Sequence, residues 1–423
     1  MGSGTQTSLE TPQQTTQISK QAQFSTKKIE FNNPEKYDFE IDIDRSGTNS
    51  IKIEVPRDTF KNPTLISLGT ADFEVTVPAP IQRAIQKRLD HPIHGYTRYS
   101  AELIKSVQDY YQRHHNMQLN QEDMFFTPGV VPAVALALRC VVNPGDAVCM
   151  MHPEYPPFYH IVEVGGYKMN LCHMTKTSTG FEFNFQQFEE QIKTSKAFLF
   201  SSPHNPTGTV LPKADMIRIV EICQKYNVAI LFDEIWSDLV FSPAKHVPLM
   251  TLAQKNIFTF YAASKSFNIA GLHMSLAFTK DPELQTKFRL EQEKMHMTTS
   301  NVFGLVAMEA AYTQCDDYLE QFKFHISSNL RMCYSYFEKN MPNLWTYLPP
   351  STTVLWIDFG KYFTSTIDAE QWCVDQGVYL QRGNDFCKCP DHIYMRINCG
   401  SPKKLLADAL DKLFKGYQKL QLK

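Results

Sequence analysis

The sequence predicts an α/β fold, with a mostly parallel sheet covered on both faces by helices and joined to a smaller α+β domain. Two observations predict it. Apolar runs of strand length, AVCMM, YKMNL, KAFLFSS, VAILFD and IFTFYA, recur from Ala147 to Ala262 with helical stretches between them. Near-continuous apolar runs of this kind mark strands buried on both faces. From about residue 281 the pattern changes to long helical stretches, two isolated strand-like runs and a last helix.

Residues 1–25 are rich in Gln, Thr and Ser and have no apolar h-region, so a disordered segment is expected there and not a secretory signal. Residues 26–72 are expected to contribute to the smaller domain, 73–310 to form the larger domain, and 311–423 to form the rest of the smaller one. Residues 81–89 and 101–114 read as amphipathic helices, the second with Leu103, Val107 and Tyr110 or Tyr111 on one face. After FFTPGVV a helix is expected over 131–142, its entrance marked by Gly129 and a row of unpaired backbone amides where a phosphate would fit. Residues 213–226 form a helical connection between apolar runs. One long helical stretch through Tyr312 is expected after residue 281, then a second over 316–340. The strand-like runs VLWIDF and IYMRIN follow, and a final helix starts at Pro402.

With 43% hydrophobic and 20% charged residues in 423, the chain can bury a sizeable core. A net charge of −2 with no long basic block argues against nucleic acid. No apolar run approaches the ~20 residues that cross a bilayer, which argues against a membrane span. The ten cysteines lack a CxxC pair and a chain of this length needs no disulfides, so reduced thiols and a cytoplasmic location are expected. Cys387, Cys389 and Cys399 lie near one another, but their spacing matches no common zinc pattern, and no metal is expected.

Three strand ends carry polar groups, where a doubly wound sheet places its ligands. They are SSPHNPTG with Asn205, FDEIW with Asp233, and YAASKSFNIAGL with Lys265. Singly, each has an ordinary reading as a turn residue, a helix cap or a solvated surface charge. Together they supply what a pyridoxal 5′-phosphate (PLP) ring needs: an amine for the Schiff base, a carboxylate for the pyridine nitrogen and an amide for the phenolic oxygen.

The stretches SPHNPTG, FDEIW and AASKSFNIAGL resemble the signature blocks of fold type I PLP enzymes of the class I/II aminotransferase superfamily. Within it the chain is most similar to the MalY/PatB-type carbon–sulfur β-lyases, also called cystathionine β-lyases. That narrower likeness rests on DRSGTNSIK, LGTADFEV, HGYTRYS, the SKSFNIAGL block and YMRINCGSP, and it extends over about residues 37–414. It implies a seven-stranded, mostly parallel sheet sandwiched by helices, PLP as cofactor and a homodimer. It further implies Lys265 as the Schiff-base lysine, Asp233 as the pyridinium partner and Asn205 as the ligand of the phenolic oxygen. Tyr155 would stack on the ring, Gly129 and Val130 would offer backbone amides to the phosphate, and Ser264 a hydroxyl. Tyr96 would reach the phosphate of the neighbouring subunit, and Arg396 would grip the substrate α-carboxylate, for which a bidentate guanidinium is well suited.

Some positions depart from that pattern. Trp236 stands three residues after Asp233, where many aminotransferases have Tyr and the lyases often His; an indole donates a hydrogen bond but does not ionise near neutrality. His273 replaces a phosphate-binding arginine eight residues after Lys265, and Ala262 replaces a hydroxyl. PPSTTVLW and NDFCKC are altered forms of loops that border the substrate in the family.

The function these features imply is β-elimination from cystathionine or a cysteine S-conjugate, with Lys265 as general base on the Cα proton, giving pyruvate, ammonia and a thiol. Aminotransfer from an aromatic or other amino acid uses the same lysine, aspartate and arginine and stays open at this level. A catalytically weak, PLP-binding regulatory protein is the third reading, and it has no chemical need for the lysine.

Overall fold

The computed structural model describes residues 37–387 and 392–422. The expected disordered segment over 1–25 and Cys389 lie outside the described residues.

The central sheet has seven strands: β1 (Met124–Thr127), β2 (Ala147–His152), β3 (Lys168–His173), β4 (Ala197–Ser201), β5 (Ala229–Asp233), β6 (Ile257–Tyr261) and β7 (Ser275–Phe278), in spatial order β1-β7-β6-β5-β4-β2-β3. β7 runs antiparallel to both neighbours and the other pairings are parallel. The five apolar runs of the sequence all become strands of this sheet. β1 and β7 are four-residue strands with no alternation, too short to stand out before the pairing is seen.

Every residue of β4, β5 and β6 is buried because both faces are covered. Side chains alternate between the two layers. Phe198, Phe200, Ile230 and Phe232 pack with Met216, Ile219 and Cys223 of the helix Lys213–Lys225. Leu199, Leu231, Phe258 and Phe260 pack with Ala133, Val134 and Ala137 of the helix Val130–Val141. Burying each of these phenylalanines contributes roughly 2–3 kcal/mol.

A three-stranded antiparallel sheet holds β8 (Val354–Asp358), β9 (Gln381–Arg382) and β10 (Tyr394–Asn398) in the order β8-β10-β9, with Arg396 level with Trp356 on one side and Gln381 on the other. The helix Asp316–Asn340 buries Phe322, Ile326, Leu330, Cys333 and Phe337 at helical spacing, and the helix Lys403–Leu420 buries Leu406, Leu410, Leu413 and Tyr417 in the same core. The N-terminal part of the described chain joins this region, since Ile66 and Ser67 run parallel to Val378 and Tyr379.

The single helical stretch expected from 281 to 312 is instead two helices, Pro282–Lys294 and Val302–Gln314. His296 takes a left-handed backbone conformation (φ 51°) after the first, and the Asn301 side chain caps the second by accepting from the Phe303 amide at 3.0 Å. Both ends are set by one-residue signals that apolar periodicity does not register.

Candidate active site

At the carboxyl ends of β4, β5 and β6 lies a cleft of about 580 Å³, within the size range of small-molecule sites. Register puts Ser201 level with Asp233 and Asp233 level with Phe260, so the loops after these strands open on the same side. Lys265, Asp233, Asn205 and Arg396 all line the cleft, as do Tyr155, Trp236, Ser264, Gly129 and Val130. Tyr96 does not. It is fully exposed and borders a separate crevice with Arg98 and Tyr99.

Lys265 sits in the short helix Ala263–Ser266 just after β6. Its Nζ donates to the Ala71 carbonyl at 2.7 Å and lies 5.4 Å from the centre of the Trp236 ring. Burial pushes its pKa down to about 8; Asp72 and Asp233 oppose that shift and Arg396 adds to it. A share of the amine is therefore neutral near physiological pH.

Asp233 ends β5, and its Oδ1 accepts from the Ile235 amide at 3.0 Å. Burial, reinforced by the charge of Glu234, raises its carboxyl to about 7, while the Ile235 amide and Lys265 pull the other way. A buried carboxylate of this kind is stabilised by a cation brought into the cleft.

Arg396 projects from β10 to the end of the large sheet. Its Nη1 donates to Asn205 Oδ1 and its Nη2 to the Gly69 carbonyl, both at 2.8 Å, and Nη2 also meets Gln381 Oε1. Its Nε is buried with no hydrogen-bond partner among the described residues. Burial lowers its pKa to about 10, which leaves it charged. The guanidinium lies 4.6 Å over the Phe386 ring. A buried, charged, incompletely partnered guanidinium is a receptor for an anion.

Gly129 and Val130 bring the start of a helix to the same cleft. Gly129 (φ 140°) is the N-cap of the helix Val130–Val141. Its own amide donates to Ser275 Oγ at 3.1 Å, so the amides left at the helix entrance belong to Val130 and Val131. That differs from the expectation that Gly129 itself offers an amide, and the reason is a hydroxyl on β7, a strand the sequence did not reveal. Ser264 and His273 also line the cleft. The residues present fit PLP: an amine, a buried carboxyl, an amide, an aromatic ring, a helix N-terminus and an arginine line one cleft.

Several groups were missed. Glu154 is fully enclosed beneath Tyr155; its carboxyl accepts from the Tyr155 amide (2.8 Å) and from Ser201 Oγ (2.9 Å). Burial first, then the nearby charge of Asp233, raises it to about 8. Burial likewise holds His204 near 3, so its 3.7 Å approach to Glu154 joins two neutral groups. The carbonyls of Gly69 and Ala71 carry no side-chain signature and could not be found from sequence. Gln381 and Phe386 fall in or beside the altered C-terminal loop, the one signal that pointed toward them.

Comparison with known proteins agrees with this geometry. Over 88% of its length the chain is 29% identical to the cystathionine β-lyase PatB of Bacillus subtilis, covering 97% of that protein. It is 23% identical to protein MalY of Escherichia coli over 88% of this chain and 96% of that one. The crystal structure of cystalysin from Treponema denticola, which contains a PLP cofactor, superposes with a TM-score of 0.86 at 29% identity, covering 91% of this chain and 99% of that one. The family described as aminotransferase class I and II matches residues 63–413, and this chain belongs to it.

Proposed function

We propose that the chain is a PLP-dependent carbon–sulfur β-lyase that cleaves cystathionine or a cysteine S-conjugate to pyruvate, ammonia and a thiol. The observation that carries this reading is the convergence of Lys265, Asp233, Asn205 and Arg396 on one cleft, in a chain whose relatives include a cystathionine β-lyase matched over nearly its whole length. Those relatives favour elimination over aminotransfer.

When bound, PLP would supply an electron sink for the negative charge that proton loss leaves at the substrate Cα, and the thiolate leaves from the adjacent Cβ. Arg396 binds the α-carboxylate through its free Nε edge, held in place by Asn205 and Gly69. Lys265 Nζ takes the Cα proton; its pKa of about 8 gives it a neutral fraction for the task. Asp233 holds the proton on the pyridine nitrogen, and its own buried charge is thereby compensated. Trp236, itself buried, closes one wall of the cleft and excludes water beside the amine.

The reading includes a homodimer in which the exposed Tyr96 reaches the phosphate end of the partner's cleft, and a smaller domain made from the segment before residue 73 with residues 311–423. The pairing of Ile66–Ser67 with Val378–Tyr379 supports the latter. The buried thiols of Cys140, Cys149, Cys172, Cys223, Cys315, Cys333, Cys373 and Cys399 support a reducing compartment such as the cytoplasm. No helix among the described residues is long and apolar enough to cross a membrane.

The test is incubation of PLP-loaded protein with L-cystathionine and no keto acid. Equal amounts of pyruvate and free thiol are expected, and none from Lys265→Ala. Keto-acid-dependent amino transfer without thiol release would replace the lyase reading with an aminotransferase.

A further inference from the structure

Two of the segments that carry the narrower family likeness, residues 44–52 and 68–75, supply no side chain to the roles above, yet they meet through charges. Arg45 Nη1 lies 2.8 Å from Asp72 Oδ2 and 2.8 Å from Glu74 Oε1. Lys52 Nζ lies 3.1 Å from Glu74 Oε1 and donates to the Asp72 carbonyl at 2.9 Å. The Lys52 side chain is 0% exposed and that of Glu74 7%. Burying such a pair gives little stability that apolar residues of the same volume would not give, so its use is sought in what it positions.

The backbone between these charges forms part of the cleft wall, which Thr70 and Ala71 line. The Gly69 carbonyl accepts from Arg396, and the Ala71 carbonyl from Lys265. Asn398 Nδ2 bonds the carbonyls of Thr70 and Asp72 at 2.8 and 2.9 Å, and Asn268 bonds both the amide and the carbonyl of Phe73 at 3.1 Å. One short strap therefore touches both the proton-transferring amine and the carboxylate-binding guanidinium, and misplacing such groups by about 1 Å is costly for reaction.

We propose that Arg45, Lys52, Asp72 and Glu74 form an ionic clamp that fixes the backbone of residues 69–74, so that its carbonyls aim Lys265 and Arg396, with Asp72, next in the chain to the Ala71 carbonyl that Lys265 bonds, as a positioning residue. The Lys265 nitrogen bonds the Ala71 carbonyl beside the Trp236 ring; the charges that act on it are the carboxylates of Asp72 and Asp233, which stabilise its charge, and the guanidinium of Arg396, which opposes it. Of the charges, Asp72 acts most strongly. Its Oδ1 is buried with no hydrogen-bond partner among the described residues, and Arg45 meets its Oδ2.

The inference rests on Lys265 being the residue that carries PLP, and the experiment separates the two. The full-length, PLP-loaded protein and its variants are titrated by the pH midpoint of the cofactor's visible absorbance. Lys265→Ala must abolish that transition; if it does not, the assignment of Lys265 fails and not the clamp. Asp72→Asn is expected to lower the midpoint by roughly one pH unit, since a carboxylate that stabilised the protonated nitrogen is gone. Should Asp72→Asn not fold, Asp72→Ser is read in the same way. The paired variant Lys52→Met with Glu74→Met removes the buried ion pair without stranding a charge, and a loss of kcat/KM of about tenfold or more with cofactor still bound is expected. An unmoved midpoint in a folded, PLP-bound Asp72 variant, or an unchanged kcat/KM in the paired variant, overturns the proposal.

Discussion

Arg396 donates to the side-chain oxygen of Asn205 across 2.8 Å, joining the three-stranded sheet to the loop after β4 of the central sheet. The bond fixes which way the Asn205 amide faces. With Oδ1 engaged, the NH₂ group is the half left to donate into the cleft, as a ligand of a phenolic oxygen must. On the proposed reading, the guanidinium that would bind the substrate also orients the amide that would bind the cofactor.

Replacing Arg396 by Lys keeps the charge and loses the planar fork. The KM for an amino-acid substrate is expected to rise on the order of 100-fold, about 2.7 kcal/mol. Cofactor absorbance should also be perturbed, because Asn205 loses its partner. Steady-state kinetics beside a PLP titration check both effects.

The Lys265 amine in cofactor-free protein should titrate near 8, against about 10.4 for an unfolded lysine. Between these values the unfolded chain binds more protons, so the stability of the cofactor-free protein rises with pH across that window, and the full penalty is present below it. Lys265→Met should accordingly be more stable than the parent at pH 7, with the gap narrowing as pH rises from 8 to 10. Denaturant unfolding at several pH values measures it.

Glu154 has the opposite linkage. Its folded pKa of about 8 lies above the ordinary 4.5, so the folded protein holds a proton that the unfolded chain releases, and its contribution to stability falls as pH rises from about 4.5 to 8. Glu154→Gln should match the parent near pH 5 and become progressively more stable than it toward pH 8. Glu154→Ala should be destabilised by about 1–3 kcal/mol near pH 5, because the Tyr155 amide and the Ser201 hydroxyl lose their acceptor, and by less as pH rises, since it too removes the titrating carboxyl.

Tyr96 is fully exposed in the single chain. If it completes the partner's cleft, Tyr96→Phe weakens PLP binding, and mixing Lys265→Ala subunits with Tyr96→Ala subunits restores part of the activity that each lacks. A chain that sediments as a monomer with full activity would remove Tyr96 from the site.

Much of this was legible in the sequence because side-chain type at strand ends is informative. Asn205, Asp233 and Lys265 follow apolar runs that could only be buried strands, and the structure brings all three to one cleft. Arg396 sits within the IYMRIN run, where an unpaired arginine would otherwise be costly to bury. The rest depended on pairing and backbone. β7 was hidden because SLAF is short and antiparallel, and with it went Ser275, which takes the Gly129 amide. The helix break near His296 turns on a single left-handed residue. The strap carbonyls that hold Lys265 and Arg396 have no residue-type signature, so the motif LGTADFEV could be matched without its physical purpose being visible.

The assignment of Lys265 as the cofactor's anchor is tested most directly by reducing PLP-loaded protein with borohydride, digesting it and locating the reduced cofactor by mass spectrometry. The added mass is expected on the peptide that carries Lys265 and to be lost in Lys265→Ala. Its recovery on another lysine, or no covalent adduct in protein that holds PLP, would contradict the site.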